Sequence, residues 1–163
     1  YGIDSNKEFD IHMMAPHLRR IFAELFGGGQ AELFLSEPDN PLESGIEIKA
    51  APPGKVVKNL LQLSGGEQAF TAVALLFAIL SVNPTPFCIL DEIEAALDEA
   101  NVERFAQYVK RYEGTQFIII THRRGSMEAA DNLYGVTMPE QGMSQVLKLS
   151  TEDIERYREE TPA

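Results

Sequence analysis

Two stretches constrain this chain more than any others: Phe87-Cys88-Ile89-Leu90-Asp91-Glu92 and Phe117-Ile118-Ile119-Ile120-Thr121-His122. In each, a continuous apolar run of strand length ends abruptly in polar or ionisable residues. An unbroken apolar run, rather than an alternating one, predicts a strand covered on both faces of a parallel sheet. Between the two, Asp98 can cap a helix from Glu99 to about Tyr112, which Gly114 ends. Strand, helix and strand in that order predict an α/β fold.

The flanks are legible by the same rules. Apolar residues from Asn6 to Phe26 fall at helical spacing, Pro16 predicts a kink or two helices, and Gly27-Gly28-Gly29 stops the run. Residues 30–36 and 45–50 alternate as two strands around the turn-rich Glu37-Pro38-Asp39-Asn40-Pro41, and Ala51-Pro52-Pro53-Gly54 reads as a loop. A helix after Ser64-Gly65-Gly66 runs to about Ser81; it is apolar nearly all round and so predicted to be buried. Beyond His122 the pattern predicts a helix around residues 126–131, strands near 133–138 and 145–149, and a charged helix from Thr151.

The 163 residues suit one domain, and a net charge of −11 argues against wrapping nucleic acid over most of the surface. A single cysteine, Cys88, excludes an internal disulfide. The longest apolar stretch, residues 69–82, falls short of the roughly 20 residues of a membrane span, and no leader pattern opens the chain. The expectation is a soluble, cytoplasmic protein. Its start, Tyr1-Gly2-Ile3-Asp4-Ser5, lacks methionine and reads as the interior of something longer.

Three constellations can carry chemistry. Asp91 and Glu92 at a strand end suit a hydrated Mg²⁺, which accepts one or two carboxylates and keeps waters for phosphate oxygens. Asp91 then serves the metal and Glu92 the attacking water; an acidic turn facing solvent would look the same. Ser64, Gly65 and Gly66 open a helix whose free N–H groups favour an anion, though Ser-Gly-Gly is also an ordinary cap. His122 can donate to a developing phosphate charge, and a structural histidine is its plainer reading. Gly54-Lys55 fails as a phosphate-binding loop, because Lys49 and Val56 stand where Gly and Ser or Thr are needed. His12, His17, His122 and Cys88 show no zinc spacing.

In order, these sites stop being independent. Leu63-Ser64-Gly65-Gly66-Glu67 resembles the ABC-ATPase signature, Ile89-Leu90-Asp91-Glu92 the Walker B strand, Ala96-Leu97-Asp98 the D-loop, and His122 the switch histidine. Ile93 after the acid pair, where transporters usually have Pro, makes residues 91–101 similar to the SMC (structural maintenance of chromosomes) branch. Leu25 to Ala31 and Pro52-Pro53-Gly54-Lys55 also resemble bacterial SMC head sequence.

The resemblance implies the C-terminal lobe of an SMC head: a mostly parallel sheet flanked by helices, with residues 1–26 as coiled-coil foot and 27–163 as the lobe. The Walker A lobe is absent from the sequence. ATP and Mg are the implied cofactors. Glu92 and His122 are the implied catalytic residues, Asp91 the Mg residue through water, and Leu63, Ser64, Gly65, Gly66, Glu67 and Asp98 the implied nucleotide contacts. Asp98 more plausibly bridges two heads than touches nucleotide, alongside its cap role. The implied partners are the Walker A lobe, a second head joined by ATP, a kleisin subunit, and DNA through the full complex, in the cytoplasm on the nucleoid and with no membrane. The alternatives are the head of another chromosome-repair ABC ATPase, a kleisin-docking lobe without activity of its own, and a transporter subunit, which Ile93 disfavours. Arg19, Arg20, Lys110, Arg111, Arg123 and Arg124 read as solvated surface.

Overall fold

The structure is a computed structural model that describes residues 6–40, 43–56 and 58–149. Helix α1 (Asn6–Phe26) is followed by strands β1 (Gln30–Leu35), β2 (Ile46–Ala51) and β3 (Lys58–Asn59), and a 3-10 turn at Leu60–Gln62. Then come α2 (Gly65–Val82), β4 (Phe87–Asp91), α3 (Glu99–Arg111), β5 (Gln116–Ile120), α4 (Arg124–Ala129), β6 (Leu133–Glu140) and β7 (Met143–Leu149). The expected helix from Thr151 and residues 1–5 lie outside the described residues.

Pro16 neither divides α1 nor forms its start; the helix runs through it. The proline sits on the exposed side, where water can replace the ladder bond its ring removes. The other side of α1 joins the core: Leu18, Ile21, Phe22, Leu25 and Phe26 are buried. Gly29, at φ +84°, makes the close return to β1 and β2, since a Cβ there would collide with the Ala51 carbonyl. At the helix end, Arg104 of α3 donates to the Phe26 carbonyl at 3.1 Å, a cation on the negative end of the helix.

The core lies between α1, α2 and α3. Phe22 stacks on Phe26 at 4.1 Å, and Phe26 meets Phe70 of α2 at 4.8 Å. Phe77 sits among Phe105, Tyr108, Tyr112 and Phe117, with ring centroids 4.7 to 6.3 Å away. Helix α2 is long and apolar enough to cross a membrane by length and composition alone. Here it is the central helix of the core, with Phe70, Val73, Ala74, Phe77, Ala78 and Leu80 buried.

The expected mostly parallel sheet is corrected among the described residues. Only β4 and β5 pair in parallel; β1-β2-β3 and the β6–β7 hairpin are antiparallel. The β4–β5 pair is also not covered on both faces. Leu90 is buried and Cys88, Phe117 and Ile119 pack against the core, while Phe87, Ile89, Ile118 and Ile120 are 46–58% exposed on the opposite face. An apolar run shows that both faces are built for burial; it does not show that this chain supplies both covers. The hairpin is likewise open, with Tyr134, Val136, Met138, Met143, Val146 and Leu147 exposed.

The packing predicts a sharp contrast in urea unfolding. Phe77→Ala lowers stability by about 3–5 kcal/mol, the cost of an aromatic-sized hole. Ile89→Ser, on the open face, changes it by less than about 0.5 kcal/mol. A large effect of Ile89→Ser would show that this face is covered within the chain itself.

Candidate functional site

The two strands ending flush create the site. Asp91 pairs with Ile120 at the end of the parallel register, and the Glu92 amide adds one more bond, to the Ile120 carbonyl at 3.0 Å. Glu92 then turns away with φ at +47°, a left-handed conformation that strains a side chain with a Cβ. Strand alternation alone would aim Glu92 at the same face as buried Leu90. Instead it is half exposed, and its Oε1 lies 3.2 Å from Nδ1 of His122. A carboxylate only accepts, so this bond needs the proton on Nδ1.

The chain from Glu92 to Asp98 is a compact turn, with Ala95 N–H on the Glu92 carbonyl and Leu97 N–H on the Glu94 carbonyl. Asp98 caps α3, its Oδ1 accepting from the Asn101 amide at 2.9 Å and its Oδ2 from the Asn101 side chain at 3.2 Å. Arg123 clasps the same turn, donating to the Leu97 carbonyl at 3.1 Å and to Glu99 at 3.2 Å.

The second half of the site is the start of α2. Ser64 is its N-cap in a capping box: its amide and hydroxyl donate to Glu67 Oε2 at 3.0 and 2.9 Å, and its Oγ faces the Glu67 amide at 3.4 Å. The other oxygen of Glu67 meets the Lys55 ammonium at 2.6 Å. That hydrogen bond, followed by the one from the Ser64 amide, holds the Glu67 carboxyl below its ordinary value of 4.5. Gly65 opens onto free space. Gly66 lies against the other half of the site, since a Cβ there would stand 3.3 Å from the Ala96 carbonyl.

The structure thus brings Glu92 to His122, and the Ser64–Gly66 helix start to the turn leading to Asp98. Asp91 is exposed at the end of β4. No group of three or more potential ligands is found among the described residues. One carboxylate at an open edge fits a Mg²⁺ that takes its remaining ligands from phosphate and water, not a protein cage. Leu63 is 6% exposed and belongs to the core beside the helix start. Glu67 directs its carboxylate at Ser64 and Lys55 rather than outward. The sequence reading missed Glu94 and Ser126, both buried, and the roles of Lys55 and Arg123. A lone carboxylate amid Ile93, Ala95, Ala96 and Leu97 was the available signal for Glu94. The remaining basic clusters are largely occupied locally: Arg20 pairs with Glu24, Arg124 with Glu128, and Arg111 donates to the Gln107 carbonyl.

Comparison with known proteins matches residues 4–145 to the RecF/RecN/SMC N terminal domain family. Over 142 residues, 86% of the chain, it is 61% identical to the chromosome partition protein Smc of Bacillus subtilis. The chain spans only 12% of that relative's length. A chain solved in work on ATP-driven dimerization and DNA-stimulated activation of SMC ATPases superposes with a TM-score of 0.83 at 43% identity. The superposition covers 92% of this chain and 91% of that one. An Smc head from Pyrococcus furiosus with an extended coiled coil, bound to the C-terminal domain of ScpA, gives 0.78 at 44% identity, over 91% and 37% of the two chains.

The lowered Glu67 carboxyl sets a pH dependence. A depressed folded value means that its contribution to stability is complete above 4.5 and is lost as pH falls through the lower folded value. Lys55→Met removes the largest cause, so the Glu67 midpoint in an NMR titration moves up toward the ordinary carboxylate value. A midpoint that does not move would show that the ion pair does not form.

Proposed function

The chain belongs to the RecF/RecN/SMC family and is homologous to bacterial Smc heads; from this we propose that it is the C-terminal lobe of an ATP-hydrolysing head serving chromosome partition in the cytoplasm. The observation that carries this is the Glu92–His122 pair at 3.2 Å, at the end of a parallel strand pair whose outer face is apolar and open. The order of signature, Walker B, D-loop and histidine, with no Walker A sequence, supports the C-terminal side of the head. Phe87, Ile89, Ile118 and Ile120 are then covered by the Walker A lobe, since apolar surface of that extent gains by leaving water.

In the assembled head, Glu92 orients and deprotonates the attacking water on ATP, and His122 holds Glu92 through Nδ1–H while Nε2 faces the γ-phosphate. Asp91 would hold Mg²⁺, which when bound would neutralise phosphate charge. Ser64, Gly65 and Gly66 contact the γ-phosphate of a second head's nucleotide. In the free lobe the Ser64 hydroxyl proton is spent on Glu67, so engagement requires that hydroxyl to turn from carboxylate to phosphate. Asp98 keeps its cap and lies near the plane between heads. Within the segment read as the coiled-coil foot, residues 1–26, helix α1 docks its Leu18, Ile21, Phe22, Leu25 and Phe26 side on the lobe.

Docking of a kleisin is a second role of the same lobe. A related head is bound to the C-terminal domain of ScpA, and the β6–β7 hairpin presents an apolar surface here that nothing among the described residues covers. DNA is contacted through the full complex.

Two variants of the reconstituted two-lobe head test the reading. Glu92→Gln retains ATP-dependent pairing of heads, while hydrolysis falls by about 100-fold or more, as expected when a positioned base is lost. Turnover within a few-fold of wild type would remove Glu92 from the mechanism. Ser64→Arg leaves ATP affinity of a single head unchanged and abolishes pairing, measured by size-exclusion chromatography with light scattering. If instead ATP binding to the single head is lost, Ser64 works on its own head's nucleotide.

A further inference from the structure

We infer that the buried hydrogen bond from Ser126 to Glu94 is the strut that holds Glu92 and His122 in register, making Glu94 and Ser126 positioning residues for hydrolysis. The inference rests on the reading of Glu92 as base. Glu94 is 1% exposed, and its Oε1 accepts from the Ser126 hydroxyl at 2.9 Å; Ser126 is itself 5% exposed. The other carboxylate oxygen is buried and has no hydrogen-bond partner among the described residues. A buried carboxylate held by one hydroxyl is expensive, and an apolar residue in this turn would avoid that cost.

Its position explains why it is there. Glu94 lies two residues past Glu92, and Ser126 four residues past His122. The same two segments are therefore joined at both levels, by an exposed pair above and a buried bond below. The exposed link cannot fix the geometry alone: the Glu92 and His122 side chains are 54% and 66% exposed, and such pairs are weak and mobile. Arg123, with its side chain 24% exposed, adds a bond to the Leu97 carbonyl at 3.1 Å, while its other partner, Glu99, is 65% exposed. The buried bond is held where solvent does not compete. Gly125, beside Ser126, shows that α4 is seated tightly: a Cβ there would stand 3.1 Å from Val102 Cγ1 of α3. Helix α4 thus reaches Glu94 without slack.

The test uses the assembled two-lobe head with ATP. Ser126→Ala and Glu94→Ala each lower kcat by about tenfold, because misplacing a reacting group by a fraction of an ångström costs that order. KM for ATP and ATP-driven pairing stay within about twofold, and the double variant is no worse than the poorer single, since both remove one interaction. Glu94→Gln, whose amide oxygen still accepts from Ser126, stays within about threefold of wild type. Without nucleotide, the ¹⁵N shifts of the His122 ring move in Ser126→Ala. Turnover within about twofold in a folded Ser126→Ala head, an additive double variant, or unmoved His122 shifts would each overturn the strut. If Glu94→Ala fails to fold, Ser126→Ala decides alone. Glu92→Gln run in parallel separates the two ideas: wild-type turnover there defeats the base, while the ring shifts still report on the strut.

Discussion

The flush parallel pairing of β4 with β5 governs the rest of the molecule. Five residues on each strand are in register, from Phe87 with Gln116 to Asp91 with Ile120, so the two chain segments leaving the strands must emerge side by side. One begins with Glu92, and the other with Thr121 and His122. The Glu92 amide stays on the ladder while its φ turns positive, so the backbone leaves the sheet at the residue whose side chain has to reach across. Local strain at this point is tolerated because the sheet bond before it and the turn after it over-determine the conformation.

The remaining elements set what the strand ends face. Helix α2 is anchored by aromatic packing through Phe70 and Phe77, which fixes the direction of its N-terminus. Gly66 then brings that N-terminus against Ala96, so the helix start and the acidic turn share one edge. Glu67 is the node there, one oxygen on Ser64 and the other on Lys55. The serine at this helix start is thereby committed to an internal acceptor, its hydroxyl donating to Glu67 at 2.9 Å.

The open apolar surfaces matter to function as much as the polar edge does. In a chain that buries Phe22, Phe70, Phe77 and Phe105 completely, leaving Phe87, Ile89, Ile118 and Ile120 in water is not a failure to form a core. That face is the surface on which the proposed function places the Walker A lobe. The chain spans 12% of the Bacillus subtilis relative.

Much of this was legible in the residues. Ser64-Gly65-Gly66 declared a helix start, Asp98 declared another, and two apolar runs ending in Asp91-Glu92 and Thr121-His122 declared strands with polar ends. These are local rules, decided by backbone donors and side chains within one turn of each other. Tertiary structure decided the rest. Pro16 was absorbed because its side of α1 faces water, and Leu63 became core. Strand β4 was left with one bare face, and Glu94 met Ser126 across thirty-two positions of sequence. Periodicity reports which side of an element is apolar. Which surface that side meets, and which distant hydroxyl a buried carboxylate finds, depends on how the elements pack, and no local pattern contains that information.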